Sequence, residues 1–245
     1  MKCVILAAGY ATRLYPLTEN FPKPLLKVGE KTILDWLMDD VKELVDEFIV
    51  ISNHKFAGHF AAWSREHTLP ITVVDDGTSS NETRLGAVKD IQFAVEKLGI
   101  EEDVLVLAGD NVLDFSLVPF VRFGQENGCS CVMCYEEKEL EKQRRTAIIT
   151  VDRDGVITSY EEKPKEPKSN LAVPPFYYYL ARDVKRIPEG LAAGCGYDAP
   201  GSFAAWLSGQ TTMKAYQMPG KRYDIGNLES YEKIKASYRG AERIQ

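Results

Sequence analysis

CVILAAGYATRLYPLTENFPKPLL, residues 3–26, opens with an apolar run from Cys3 to Leu6 and then breaks into Ala7, Ala8, Gly9 and Ala11. A short apolar run bounded by small residues reads as a buried strand ending in a loop. The same alternation continues downstream. ILDWLMDDVKELV (33–45) carries apolar residues at three- and four-residue steps and predicts an amphipathic helix. EFIVISN (47–53) predicts a strand, FAGHFAAWSREH (56–67) a helix, and ITVVDD (71–76) a strand. RLGAVKDIQFAVEKLG (84–99) then predicts a helix and DVLVLAG (103–109) a strand. Repeated β-α-β segments predict an α/β fold: a single doubly wound, mostly parallel, Rossmann-like sheet flanked by helices. Such sheets bind ligands outside the carboxyl ends of their strands.

The second half changes character. GCSCVMCYEE (128–137) and AIITVDRDGVITSYEEKP (147–164) read as strands, the latter a hairpin turning at Asp154-Gly155. FYYYLA (176–181) is a short apolar-aromatic run, GSFAAWLSG (201–209) looks helical, and MKAYQM (213–218) precedes a final helix, LESYEKIKASYRG (228–240). These antiparallel elements are expected to form a smaller substrate-binding lid. No repeat, low-complexity tract or linker interrupts the chain, so one domain is expected over residues 1–245. Residues 1–115 and 116–245 would form its two functional halves.

The totals narrow the function. The 245 residues are 44% hydrophobic and 27% charged, with a formal net charge of −6 and a pI near 5.3. That balance argues against nucleic-acid binding, which wants a basic face. No apolar run approaches the roughly 20 residues of a membrane span, and the first residues lack the basic region and long apolar stretch expected of a signal peptide. A cytoplasmic location follows as the expectation. Five cysteines make an odd count, which argues against a disulfide framework. Cys129, Cys131 and Cys134 fall on a predicted strand, with Cys134 facing away from the other two, and read as core residues. His54, His59 and His67 show no useful spacing and are read as structural.

The turn after the first strand points to an anion. Small residues let main-chain N–H groups approach a ligand closely, and oriented N–H groups form an anion nest. Leu6, Ala7, Ala8 and Gly9 are therefore candidate contacts to an anion. Arg13 can add a bidentate fork to phosphate oxygens, and Lys23 a compact charge stiffened by Pro22 and Pro24. The loop is neither a Walker A motif nor a G-x-G-x-x-G fingerprint. Asp110, after the apolar strand and Gly109, is a natural hard-oxygen ligand for Mg²⁺, although Gly-Asp is also a common turn.

Taken whole, LAAGYATRLYPLTENFPKPLL (6–26) resembles the signature of the sugar-1-phosphate nucleotidylyltransferases, also called nucleotide-sugar pyrophosphorylases. LAGDN (107–111), EEKPKEPKSNLAV (161–173) and YDIGN (223–227) follow in the order of that family's later motifs, and the run at 161–173 is similar to glucose-1-phosphate thymidylyltransferases. The resemblance covers essentially the whole chain, and it implies a mainly nucleotide-binding half over 1–115, with Leu6, Ala7, Ala8, Gly9, Arg13 and Lys23 as nucleotide contacts, and a mainly sugar-phosphate-binding half over 116–245. It implies an enzyme that joins an NTP to a sugar 1-phosphate with Mg²⁺, and neither a nucleic acid nor a membrane as partner. It further implies catalytic roles for Arg13, Lys23, Asp110 and Lys163, and a metal pair of Asp110 and Asp224. Asn111, Glu162, Lys163, Val173 and Tyr177 become candidate contacts to the sugar phosphate. Relatives commonly assemble as dimers or tetramers, so a homo-oligomer is an option carried by the resemblance alone. The few residues after the last helix lead us to expect no appended acyltransferase domain.

Two regions depart from the family pattern. Thymidylyltransferase relatives carry a glutamine and a Gly-rich turn before the third helix, whereas this chain has VVDDGTSSNETRLGA (73–87). Asp76, Asn81, Glu82 or Thr83 could read a base edge there, and Gly86 would allow close backbone approach, so the base stays open. Pro174-Pro175-Phe176-Tyr177, Thr146-Ala147-Ile148 and GYDAPGSFAAWL (196–207) replace family segments around the sugar. Glucose 1-phosphate leads, with a modified sugar, a heptose or another phosphorylated polyol close behind. The other readings are a cytidylyltransferase for phosphocholine or a similar small phosphate, and a non-catalytic nucleotide-binding homologue.

Overall fold

The computed structural model describes residues 1–240. In chain order its elements are β1 (Lys2–Leu6), 3₁₀ turns at Thr12–Leu14 and Lys23–Leu25, β2 (Lys27–Val28), β3 (Lys31–Thr32), α1 (Ile33–Val41), β4 (Glu47–Ser52), α2 (Ala57–Ser64) and β5 (Ile71–Asp75). Then come α3 (Ala87–Leu98), β6 (Val104–Ala108), β7 (Asn111–Leu113), α4 (Val118–Asn127), β8 (Ser130–Glu136), α5 (Leu140–Gln143), β9 (Ala147–Val151) and β10 (Ile157–Glu162). The chain continues through β11 (Leu171–Val173), β12 (Phe176–Tyr179), α6 (Ala181–Val184), α7 (Ile187–Ala192), α8 (Gly201–Ser208), β13 (Met213–Gln217), β14 (Arg222–Asp224) and α9 (Leu228–Ser237). The α/β class expected from the alternating pattern holds.

The chain divides into two compact units, and no single cut separates them. One takes Met1–Leu85, Leu107–Val118 and the chain from Pro219; the other takes Gly86–Val106 and Pro119–Met218.

In the first unit β1, β4 and β5 run parallel, with Val4 opposite Ile49 and Ile49 opposite Thr72. The apolar runs of β1 and β4 have no polar alternation because these two strands are covered on both faces, whereas β5 is half-buried. Cys3, Val4, Ile5, Ile49, Val50 and Ile51 are all fully buried. The end of β6 lies on the other side of β1, where the Gly109 N–H donates to the Leu6 carbonyl at 3.0 Å. Strand order therefore reverses direction at β1, and a crevice opens at its carboxyl end. Helix α1 starts on a capping box in which Thr32 and Asp35 satisfy each other's backbone N–H. The His67 ring lies at 3.2 Å from that Asp35, and the His54 ring contacts Asp75 at 2.7 Å.

A second, satellite core ties distant segments together in this unit. Leu14, Leu26, Val28, Ile33, Val112, Ile225, Tyr231, Ile234 and Tyr238 form one buried cluster. It draws both 3₁₀ turns, the β7–β14 ribbon and α9 around common apolar contacts. The Tyr231 hydroxyl donates to the Lys27 carbonyl at 2.9 Å and the Tyr238 hydroxyl to the Leu113 carbonyl at 2.6 Å.

The second unit is built mainly on antiparallel pairs. β8 pairs with β11 and β12, β9 pairs with β10 and β11, and β13 joins β8 in parallel. The β9–β10 hairpin turns at Asp152–Gly155, where Gly155 has φ +75° and the Asp152 carboxylate accepts the Asp154 and Val156 N–H groups. Cys129, Cys131 and Cys134 are buried along β8, with the first two sulfurs 3.8 Å apart and Cys134 Sγ directed to Gln217. Burial pushes the Cys134 thiol up to about 11. Among the described residues no helix is long and apolar enough to cross a membrane.

Candidate active site

The charged residues flagged at opposite ends of the sequence meet in the first unit. Lys23 sits in a 3₁₀ turn between the buried Pro22 and Pro24, and the Leu25 and Leu26 N–H groups close the turn onto Pro22 and Lys23. The prolines fix the backbone, so the lysine points in one direction at little further entropic cost. Its side chain is only 8% exposed, and its ammonium lies 3.0 Å from Asp110 Oδ2 and 3.7 Å from Asp224 Oδ1. The two carboxylates are themselves half-exposed, so this pair of acids opens outward while the lysine backs it.

Asp224 reaches this point through strand pairing. β14 runs antiparallel to β7 and sets Asp224 opposite Asn111, and the Ile225 N–H approaches the Asp110 carbonyl at 3.4 Å. Asn111 is buried, donates to Asp110 Oδ1 at 2.6 Å and accepts from Arg222 at 2.7 Å. It thus orients Asp110. Asn227, last residue of the YDIGN stretch, caps α9 by accepting the Ser230 N–H at 2.9 Å.

The small-residue turn lies at the carboxyl end of β1. Ala7 N–H remains tied to Ile51 at 2.9 Å and Leu6 carbonyl to Gly109, so these two residues still belong to the sheet. Beyond them, among the described residues, none of the N–H groups from Ala8 to Thr12 donates to a backbone carbonyl. Buried side chains hold the loop open. Asn53 donates to the Ala8 carbonyl at 2.8 Å, and Thr18 donates to the Ala11 carbonyl at 2.8 Å. Ala11 takes a left-handed conformation, φ 46° and ψ 41°, and turns the chain into the 3₁₀ helix that presents an exposed Arg13. Asp76, just past β5, accepts the N–H and hydroxyl of Thr78, and burial raises its carboxyl above the usual range, with Asp75 adding to the effect.

In the second unit Glu162 and Lys163 end β10. Lys163 adopts φ 50°, uncommon for a side-chain-bearing residue, and its N–H donates to the Thr146 carbonyl at 3.1 Å. This kink exposes the ammonium while Glu162 turns inward. Burial raises the Glu162 carboxyl above the usual range, and Lys163 opposes the rise. Tyr177 is buried and stacks on Tyr179, with centroids 5.7 Å apart. Val173 is buried opposite Ala147 on β9. Gly86 has φ +90°, and a side chain there would strike the Tyr197 carbonyl at 2.7 Å. The neighbouring Ala87 and Val88 N–H groups donate to Asp198 and Tyr197. The close approach at Gly86 is therefore occupied by a segment of this same chain.

Residues 2–240 match the nucleotidyl transferase family. The chain belongs to that family. Among the nucleotidyl transferases it is 27% identical to the UTP–glucose-1-phosphate uridylyltransferase AglF of Haloferax volcanii, across 96% of this chain and 95% of the relative. It is 26% identical to a Sulfolobus acidocaldarius protein provisionally assigned as a mannose-1-phosphate guanyltransferase, across 96% of this chain and 62% of the relative. A solved UDP-glucose pyrophosphorylase complexed with UDP-glucose has the same fold, with a TM-score of 0.81 over 97% of each chain at 22% identity. The motif resemblance and the expectation of a nucleotidyltransferase enzyme both hold.

Sequence reasoning missed the residues that support this candidate site. Thr18 and Asn53 reach loop carbonyls and Arg222 reaches Asn111 through hydrogen bonds between distant or unpatterned positions, and these residues carry no local pattern. Thr18 is the exception in principle, being a buried polar residue inside the opening signature.

Proposed function

We propose that the protein transfers a nucleoside monophosphate from an NTP to a sugar 1-phosphate, giving an NDP-sugar and pyrophosphate. The observation that carries this reading is the Lys23 ammonium at 3.0 and 3.7 Å from Asp110 and Asp224, beside an open small-residue turn at the strand-order switch. In the reaction an oxygen of the sugar phosphate attacks the α-phosphorus in line, the bond to the bridging α–β oxygen breaks, and pyrophosphate leaves with that oxygen. No covalent nucleophile is needed; positioning and charge neutralisation do most of the work.

The N–H groups from Ala8 to Thr12 and the Arg13 guanidinium suit the triphosphate. Lys23 suits the phosphate nearest the acids. Lys163 and Glu162 suit the sugar phosphate, the cation for its phosphate and the carboxylate for its hydroxyls. Asn111 keeps Asp110 in its orientation.

The two carboxylates fit a Mg²⁺ ion. Both converge on one point that already stabilises a cation, and among the described residues no third acid, histidine or cysteine joins them. Mg²⁺ usually takes one or two carboxylates and completes its shell with water and substrate phosphates. Asp110 and Asp224 would hold it, and when bound it would neutralise charge on phosphate oxygens. We place the reaction in the cytoplasm, where nucleoside triphosphates are held.

The test is a matrix of NTPs against sugar 1-phosphates and phosphocholine, following pyrophosphate release with Mg²⁺. Release with a sugar 1-phosphate supports the proposal and identifies the base. Release with phosphocholine alone overturns the sugar assignment, and nucleotide binding without turnover favours a non-catalytic homologue.

A further inference from the structure

The structure assigns Gly201 as a positioning residue for the sugar-phosphate half of the site: the space left by its missing side chain is where the Glu162 carboxylate rests. The inference rests on the proposed role of Glu162 in reading the sugar. A Cβ added to Gly201 would lie 2.4 Å from Glu162 Oε2, 3.0 Å from the Tyr160 hydroxyl and 3.4 Å from the Tyr177 hydroxyl. Three polar groups from β10 and β12 thus converge on one backbone position of α8.

The place has its own electrostatic logic. Gly201 is the first residue of α8, whose N-cap is Pro200 and which has no side-chain cap. Burial outweighs any help from the first N–H groups of the helix, and the Glu162 carboxyl stands above the usual range. The Tyr160 hydroxyl is buried with no hydrogen-bond partner of full geometry among the described residues. That hydroxyl lies against Tyr177 and Glu162, so the polar ends of three side chains share one pocket at Gly201. Among the described residues, Lys163 and Tyr160 act on Glu162, and Tyr177 acts on Tyr160 and meets the same Gly201 position.

The chemistry of what moves makes the idea testable. At 2.4 Å something must shift when a methyl is added at Gly201, and the atom in the way is the end of a flexible side chain. The fold can therefore accept Gly201→Ala, with the displacement falling on the Glu162 carboxylate. A carboxylate moved by a fraction of an ångström to an ångström loses its grip on a sugar hydroxyl, because hydrogen bonds tolerate little error in length. The lysine-centred cluster of the first unit supplies none of these groups.

The experiment compares wild type, Gly201→Ala, Glu162→Ala and the double variant. Expected for Gly201→Ala is a rise of about tenfold or more in KM for the sugar 1-phosphate, with KM for the NTP within about twofold of wild type. In the Glu162→Ala background the same change should have no further effect, since the group it displaces is gone. Additive losses, or equal rises for both substrates, would overturn the assignment. A second readout needs no turnover: ¹³C-carboxyl NMR titration of Glu162. The raised wild-type midpoint should fall toward the ordinary glutamate range in Gly201→Ala; an unchanged midpoint overturns the inference. Absence of turnover in wild type would sink the proposed function instead, and leave the titration to decide about Gly201.

Discussion

Lys23 and the two carboxylates it faces should contribute very unequally to stability. The ammonium is 8% exposed, while Asp110 and Asp224 side chains are 42% and 54% exposed. At an effective dielectric of about 20, pairs 3.0 and 3.7 Å apart attract by roughly 4–6 kcal/mol each before desolvation. Removing the ammonium with Lys23→Met forfeits that attraction, but it also removes the desolvation of a buried cation, several kcal/mol. Solvent screens the acids left behind, and the replacement is apolar and of similar volume. The net cost should be about 1 kcal/mol, or roughly 2–4 °C in Tm for a chain of this size. Asp110→Ala with Asp224→Ala does the opposite, stranding a buried ammonium without partners. That costs about 3–5 kcal/mol, or roughly 6–20 °C at the same conversion. Adding Lys23→Met to the double variant should recover most of the loss. Thermal melts by circular dichroism at neutral pH and moderate salt read all four proteins. If Lys23→Met melts as low as the double carboxylate variant, or the triple variant recovers nothing, the buried-cation reasoning is wrong.

Arg13→Ala should lower kcat by about 10²–10³-fold, because the guanidinium would act on charge present in the transition state; Lys163→Ala should mainly raise KM for the sugar phosphate, and steady-state kinetics with each substrate varied separates the two. Ile225→Ala opens a void in the cluster beneath Asp224 and should cost about 2–5 kcal/mol in urea unfolding; a cost below about 1 kcal/mol would mean the ribbon is held by something other than that cluster. Burial holds the Glu162 carboxyl above its unfolded-state value, so its favourable contribution is present at low pH and is lost as pH rises through the raised folded value. Glu162→Gln should accordingly raise Tm relative to wild type near pH 7.5, by a margin that shrinks below the unfolded glutamate value near pH 4.3, and a margin independent of pH would contradict the burial.

The parallel strands were legible because β1, β4 and β6 are covered on both faces and so read as unbroken apolar runs. Lys23 was legible for a different reason: two prolines around one cation leave few structural alternatives. Asp110 and Asp224 were visible only as isolated carboxylates, since the pairing of β7 with β14 spans more than a hundred residues and each strand has three. Their meeting depends on Val112 and Ile225 sharing a core with α9, a contact with no local periodicity. The second unit was harder still. Antiparallel pairs there follow no repeating order, and the lack of a side chain at Gly201 acquires meaning only once Glu162 is seen against it. Gly86 is a similar case: the absence of a side chain there makes room for Tyr197, from a segment more than a hundred residues on.

Isotope tracing asks the central question most directly. With ¹⁸O in the three non-bridging oxygens of the sugar 1-phosphate, attack on the α-phosphorus should carry label into the bridge between the two phosphorus atoms of the NDP-sugar, read as isotope-shifted ³¹P resonances. The pyrophosphate released should contain none. Label in the pyrophosphate, or an unlabelled bridge, would mean that bond formation runs through a different oxygen and that this cluster serves some other chemistry.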